Sequence, residues 1–465
     1  MSVPPEEGAE WTPPRTSIET AAWPPLPPAV AVRLLSLGQQ LDDSQWWPAE
    51  RLRALQLRQL EQLVAHADAT VPLYRERLRR CGIQVGTSLT WSVYERLPIL
   101  TRRDVQEHAE RLHAQRFPKS HGNAVSISTV GGIGAPAQVL RSGVSLAFSD
   151  AVAFRGQGWR RERSDGKLAV IRALPPGATT TQGVGRFKDW GRPIAEVYPT
   201  GPSVLVDIRL STEKQVTCLR RERPTVLASA PSNLLALAQF CRSHRIRLST
   251  LRKIRSAGET VTPELRAACR EAWDLPVLDE YAARDVGVIA LQCPEGDHYH
   301  VQSETAIVEI LDAAGRPCGP GEVGRVVITS LHNFAMPLLR YAPGDSAEVG
   351  DPSLCRRGLP VLARILGRSR DLLTLASGER RFSVHGSAIF RGKNDIRQFQ
   401  FVQRTPTRVE ARLIPGAGFD HRREPELRTA IEAALGGGIA VDMAYPAEIA
   451  PADVASFEEF RSDIR

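Results

Sequence analysis

The chain reads as an α/β protein with a large N-terminal domain and a small α+β domain at its C-terminal end. Three observations point there. Short apolar runs alternate with helix-periodic segments through the middle of the 465 residues. Residues 301–347 change character and become strand-like runs between Gly/Pro turns, which predicts a β-rich subdomain. The tail from Gly367 carries strands and a helix of its own. A chain this long also exceeds one ordinary core.

Residues 1–33 form a Pro-rich arm with Glu6 and Glu7 near its start, unlike a signal peptide. Trp11 or Trp23 could pack this arm on the body. Over residues 30–66, Leu34, Leu35, Leu37 and Leu41, then Leu52, Leu55, Leu57, Leu60 and Leu63, recur at helical spacing. Residues 167–173, 225–228 and 275–279 read as strands and 232–243 as a helix. Strands follow at 306–311, 324–329 and 346–349. In the tail, 398–403 and 409–413 are strand-like and 424–435 helical. The expected division is 1–33, 34–366 and 367–465, with no internal repeat.

Composition excludes several classes. Hydrophobic residues at 42% and charged residues at 24% are globular values. No apolar run reaches the length of a membrane span, so no membrane partner is expected. The net charge is +8, but only six of the 60 basic residues are lysine, and the arginines are scattered. They form no basic stripe interleaved with aromatics, so no nucleic-acid partner is expected. Seven cysteines without a secretory signal predict a reducing cytoplasm and no disulfide framework. Neither a Gly-x-Ser-x-Gly elbow nor a His-x-x-x-His pair occurs, which leaves a hydrolase without support.

Four segments carry chemistry. The first is Leu338-Leu339-Arg340-Tyr341-Ala342-Pro343-Gly344-Asp345, followed by Ile365-Leu366-Gly367-Arg368-Ser369-Arg370-Asp371. A carboxylate after a tight turn can accept two hydroxyls at once, though Asp after Pro-Gly is also an ordinary turn residue. The second is Thr129-Val130-Gly131-Gly132-Ile133-Gly134-Ala135-Pro136 after a strand-like run at 124–128. Its glycines let backbone N–H groups approach an anion. The third is Arg255-Ser256-Ala257-Gly258-Glu259-Thr260, then Leu278-Asp279-Glu280-Tyr281-Ala282-Ala283-Arg284-Asp285-Val286-Gly287. The fourth pairs Cys293-Pro294-Glu295-Gly296-Asp297-His298-Tyr299-His300 with Cys355-Arg356-Arg357-Gly358.

In this order the segments resemble the motifs of adenylate-forming enzymes, in particular the phenylacetate-CoA ligase-like branch. Residues 65–78 and 97–104 look like the opening of that branch, and the likeness runs from about Leu34 to the C-terminus. The resemblance implies an adenylate-forming domain with a small C-terminal lid. It implies ATP or AMP and Mg²⁺ as cofactors, and a small aromatic or hydrophobic carboxylate as substrate. CoA, an amine or a carrier thiol would accept the acyl group, and a homodimer is possible. The basic charge would help to draw in ATP or CoA.

By the same resemblance, Thr129, Gly131, Gly132 and Gly134 would cradle phosphate. Gly258 and Glu259 would form the adenine-pocket turn, Tyr281 the aromatic face for adenine, Asp345 the ribose acceptor, and Arg368 a nucleotide contact. Asp285 stands where the family's Mg²⁺-binding Glu belongs, one methylene shorter. Arg284 replaces a hydroxyl residue and would either pair with phosphate or neutralise Asp285. Arg370 occupies the hinge. The acyl pocket is expected near residues 229–237.

The chain departs from the family in its hydroxyl-poor loop and at Arg284 and Asp285. Its tail also lacks the catalytic lysine: no lysine follows Lys393, Glu459 stands in that position, and Arg461 could substitute. These departures keep open a homologue that binds without adenylating, or an ATP-independent acyl transferase. Cys293, His300 and Cys355 match part of a zinc site found in some members. Arg357 replaces a fourth ligand and His298 could supply one. Ordinary loop residues are the favoured expectation, with zinc the lesser one.

Overall fold

A computed structural model describes residues 12–21, 23–83, 89–129, 137–161, 163–174, 183–368, 372–378, 380–382, 396–416, 419–436, 438–449 and 460–464. The leucine-periodic opening forms two helices, Ala29–Ser44 and Ala49–Thr70, each entered from a proline. The second buries Leu52, Leu60, Leu63, Val64 and Ala67, one face of a 3.6-residue repeat. The arm before them is tied down by Arg15, whose backbone N–H donates to the Val197 carbonyl at 2.7 Å and whose Nε donates to the Tyr198 carbonyl at 3.2 Å. Trp23 is 75% exposed, while Trp11 lies outside the described residues.

Among the described residues, one sheet of 14 strands organises the body. Its middle is parallel, with Ser203–Asp207, Leu168–Arg172, Val226–Ser229, Lys253–Ala257 and Val277–Ala283 side by side. The apolar runs in these strands suit burial under helices, including Pro231–Ser243 and Pro263–Trp273. Ile171, Leu227, Leu234, Leu237, Ile254, Leu265 and Val277 share that core.

The direction changes after Val277–Ala283. Gly287–Gln292, Tyr299–Val301, Val361–Arg368, Asp345–Val349 and Val323–Ser330 continue the same sheet in antiparallel order, and Ala306–Leu311 pairs with Val323–Ser330. The β-rich region read at 301–347 is therefore an extension of the central sheet rather than a separate layer. The hairpin Ala124–Thr129 with Ala137–Ser142 stands apart as a two-stranded sheet. Asn333 fastens its base: Oδ1 accepts from the Ser142 N–H at 3.2 Å, and Nδ2 donates to the carbonyls of Leu140 at 2.8 Å and Met336 at 2.9 Å.

The tail has its own core. Ile396–Thr405 and Arg408–Pro415 pair antiparallel and are flanked by the parallel strands Phe460–Ser462 and Ala440–Ala444. Helix Glu424–Leu435 packs Leu427, Ile431 and Leu435 against Phe401, Val409, Leu413 and Phe460. Among the described residues, no helix is long and apolar enough to cross a membrane.

Candidate functional site

The border between the parallel and antiparallel parts of the sheet gathers the candidate residues. Asp345 opens the strand Asp345–Val349 after Gly344, which turns at φ +100°, a conformation open to glycine. Tyr281, near the end of Val277–Ala283, donates its hydroxyl to Asp345 Oδ2 at 2.6 Å. Burial first, and then the Asp345 carboxylate, push the Tyr281 hydroxyl well above its usual range. Asp285 is buried in the turn that leads into Gly287–Gln292. Burial and the neighbouring Asp285 carboxylate also push the Tyr341 hydroxyl up. Asp285 and Tyr341 both act on Tyr281, so the two carboxylates and two phenols form one cluster.

Arg284 is exposed, and among the described residues it makes no ion pair with Asp285. Of the two alternatives for Arg284, pairing with phosphate or neutralising Asp285, the second has no ion pair here. Arg368 closes Val361–Arg368, and its backbone sits directly opposite Asp345. Gly258 adopts φ +91°, and the Glu259 carboxylate beyond it accepts the Ser232 N–H at 2.9 Å. Glu259 thus caps Pro231–Ser243, a helix whose own N-cap is Ala230. Thr129 ends the first strand of the hairpin, while Gly131, Gly132 and Gly134 lie outside the described residues, as do Arg370 and Glu459. Arg461 lies in Phe460–Ser462 and pairs with Asp463 at 3.1 Å.

Of residues 229–237, expected near the acyl pocket, Leu234 and Leu237 face the central core, and the Ser229 hydroxyl donates to the Ile171 carbonyl at 2.9 Å. A pocket is lined by Arg141, Ser145, Phe148, Ser149, Thr305 and His332, with Val286 beside Asp285 on its wall. Sequence reasoning passed over these residues because they come from separated segments, none of them motif-like. Asp279 was passed over too. It accepts Ser256 Oγ at 2.5 Å and the Tyr299 hydroxyl at 2.7 Å, and burial pushes its carboxyl up to about 6.

The Cys/His segment departs from the favoured reading of loop residues. Cys293, His298, His300 and Cys355 each offer a ligand atom, and these atoms all lie within 4.8 Å of one another. The two sulfurs are 3.9 Å apart. Both Nε2 atoms of the histidines are buried without a hydrogen-bond partner. Nδ1 of His300 sits 3.4 Å from the Leu359 carbonyl. Burial lowers His298 and takes His300 down to about 4, so both rings are neutral, as ligands must be. Arg357, at the missing-ligand position, lies 3.1 Å from Cys355 Sγ and 3.1 Å from Glu295 Oε1, where it can offset thiolate charge. Burial pushes the Cys293 thiol up to about 11 in the metal-free arrangement.

Known proteins resemble this chain in sequence and in fold. The family described as AMP-binding enzyme matches residues 200–336. The phenylacetate-coenzyme A ligase of Thermus thermophilus is 26% identical, over 70% of this chain and 73% of that one. That of Pseudomonas putida is 26% identical over 72% and 74%. Protein CapK of Staphylococcus aureus is 21% identical over 75% of each. Among solved structures, 2-hydroxyisobutyryl-CoA ligase in the postadenylation state with R3-HIB-AMP superposes with a TM-score of 0.66 at 19% identity, covering 90% of this chain and 91% of that one. The same ligase with 2-HIB-AMP and CoA in its thioesterification state gives 0.58 at 20% identity, covering 94% of each chain.

Proposed function

We propose that this chain, a homologue of phenylacetate-CoA ligases with the fold of adenylate-forming CoA ligases, activates a small carboxylate with ATP and passes the acyl group to CoA. The observation that carries the reading is the buried cluster of Asp285, Asp345, Tyr281 and Tyr341 at the break in the sheet. Asp345 can accept ribose hydroxyls while Tyr281 holds its carboxylate in place. Asp285 is a single hard-oxygen ligand beside a phenol, which suits Mg²⁺ shared with phosphate oxygens. When bound, Mg²⁺ would offset the phosphate charge.

In the first step a carboxylate oxygen of the acid attacks the α-phosphorus and pyrophosphate leaves. In the second the CoA thiol attacks the acyl carbon and AMP leaves. Arg368 would contact the nucleotide. Residues 367–465 would act as a lid turning near Arg370, and Arg461 would be the cation nearest the missing lysine. An amine or carrier thiol is the alternative acceptor, and the cytoplasm is the expected compartment. An aromatic or hydrophobic acid, as expected from the branch, would find Phe148 in the pocket, but the other walls are largely polar.

Zinc fits the second cluster, because two thiols and two orphaned imidazole nitrogens make a complete tetrahedral set. Its place is structural, tying residues 293–300 to 355–359.

One observation favours a second reading, a homologue that binds without adenylating: no lysine follows Lys393, and Glu459 stands in its place. Acid-dependent ATP–pyrophosphate exchange separates the two. Exchange with at least one acid, lost in Arg461→Ala, supports adenylation. Background exchange from a folded protein that binds AMP, unchanged in Glu459→Lys, supports the second reading.

A further inference from the structure

Arg141 is the least explained charge in the molecule. It lies on Ala137–Ser142 and is only 5% exposed. Its Nε is 3.2 Å from Ser145 Oγ, and Nη2 reaches the Ser145 carbonyl at 3.0 Å, Ser145 Oγ at 3.0 Å and Ser149 Oγ at 2.6 Å. Every one of these partners is neutral. Among the described residues no carboxylate forms an ion pair with it. Asp285 and Asp150 act on it from beyond that range. A buried cation whose contacts are all neutral is costly, and an anion placed against it would offset that cost.

The guanidinium lines the pocket next to the candidate nucleotide site. Val286, on its wall, follows Asp285 directly. At Gly287 (φ +106°) a side chain would strike Ser149 Oγ and come within 3.2 Å of Arg141 Nη2. The glycine therefore lets Ser149 and the guanidinium pack close against the backbone two residues after Asp285. Ser145, Ser149, Thr305 and Ser330 supply hydroxyls to the lining. His332 is stacked on Phe148 at 3.7 Å and 8°, donates its Nε2–H to the Glu304 carbonyl at 2.8 Å, and is held neutral by burial. The permanent positive charge in this lining is Arg141. A phenyl group would desolvate it without replacing its hydration, whereas an anion would pair with it.

We propose that the acid carries a second carboxylate, taken by the Arg141 guanidinium with Ser145 and Ser149 beside it, so that the substrate class is a short dicarboxylic acid. This rests on the adenylating reading for its reaction, but not for its binding. One carboxylate of the acid would reach the nucleotide near Asp285 while the other lies against Arg141. Bidentate pairing fixes the acid's direction as well as its charge.

The test uses the full-length protein with matched pairs of acids: succinate against butyrate, glutarate against valerate, and phenylacetate. ATP–pyrophosphate exchange and calorimetric binding are read on the same preparations. The expected result is a preference for the dicarboxylate in each pair, on the order of 10²-fold, the scale of a buried charge pair losing one partner. Arg141→Met should erase that preference, and Arg141→Lys should keep part of it. The wild-type comparison decides even if a variant fails to fold. Exchange with butyrate or phenylacetate equal to or better than with the dicarboxylates would overturn the proposal and leave adenylation standing. If no acid supports exchange, adenylation falls and calorimetry decides the pocket. Succinate or glutarate binding lost in Arg141→Met sustains the anion site, and no binding by the wild type refutes it.

Discussion

Replacing Arg340 by methionine should be among the most damaging single changes in the chain, for structural rather than catalytic reasons. Arg340 belongs to the motif that ends in Asp345, yet its side chain points away into the body. Its Nε and Nη2 bind the Glu309 carboxylate as a fork at 3.1 and 2.8 Å, and Nη1 donates to the carbonyls of Leu97, at 2.7 Å, and Glu95. It does so from a left-handed backbone, φ +48°. One guanidinium therefore joins the chain before strand 100–101, the strand Ala306–Leu311 and the turn that presents Asp345. Methionine keeps much of the apolar stem but strands a buried carboxylate, a loss of about 3–5 kcal/mol. Burial already raises the Glu309 carboxyl, while Arg340 lowers it. Without Arg340 its folded value rises further above the unfolded one. The variant should then lose stability as pH climbs through that raised value and recover it in acid, where the buried acid is neutral. Urea denaturation of both proteins at pH 5 and pH 8 reads this directly. The penalty should be larger at pH 8 by about 1 kcal/mol or more, one pKa unit's worth. A penalty below about 1 kcal/mol, or one independent of pH, would refute the stranded-charge argument.

Other outcomes can be checked with the same material. Asp345→Ala should weaken AMP binding by about 1.5–3 kcal/mol, the scale of hydrogen bonds to a charged group, as measured by calorimetry. Asp279, pushed up to about 6 from 3.8 by burial, holds more protons folded than unfolded between those values. Its contribution to stability should be full below the unfolded value and should fall by about 2 kcal/mol as pH rises from 4 to 6. Asp279→Asn should flatten that stretch of the stability profile, and identical wild-type and variant slopes would count against it. Metal analysis of protein expressed with zinc should find about one equivalent, lost in Cys293→Ser together with thermal stability. Metal-free wild-type protein of unchanged stability after dialysis against a chelator would leave the four ligands unemployed.

Legibility in the sequence followed the locality of the signal. Helix Glu424–Leu435 was read to its ends because its apolar face repeats every turn and glycine follows at 436. The motif before Asp345 was readable because turn and carboxylate are adjacent in the chain. Arg340 inside it was not readable as a staple, since Glu309, Glu95 and Leu97 are distant in sequence. The pocket beside Val286 was not readable for the same reason: Arg141, Val286, Thr305 and His332 meet only after the sheet forms. An arginine directly after the apolar pair Val139-Leu140 in a strand was the available signal. For the metal cluster the signal was His298-x-His300, a spacing that returns to the same face of an extended strand. The substitution at Arg357 drew attention away from it.

The unbroken sheet also limits how this chain can be divided. Val277–Ala283 bonds to a parallel neighbour on one side and an antiparallel neighbour on the other. A cut there, by a protease or in a cloned fragment, would not release two finished units. Each piece would keep a long apolar edge strand with its backbone groups unpaired, the kind of surface that recruits other chains. Split-protein reporters, truncations for crystallisation and fusion junctions therefore belong away from this seam. The loop 293–298, although on the surface, is no safer if a metal closes it.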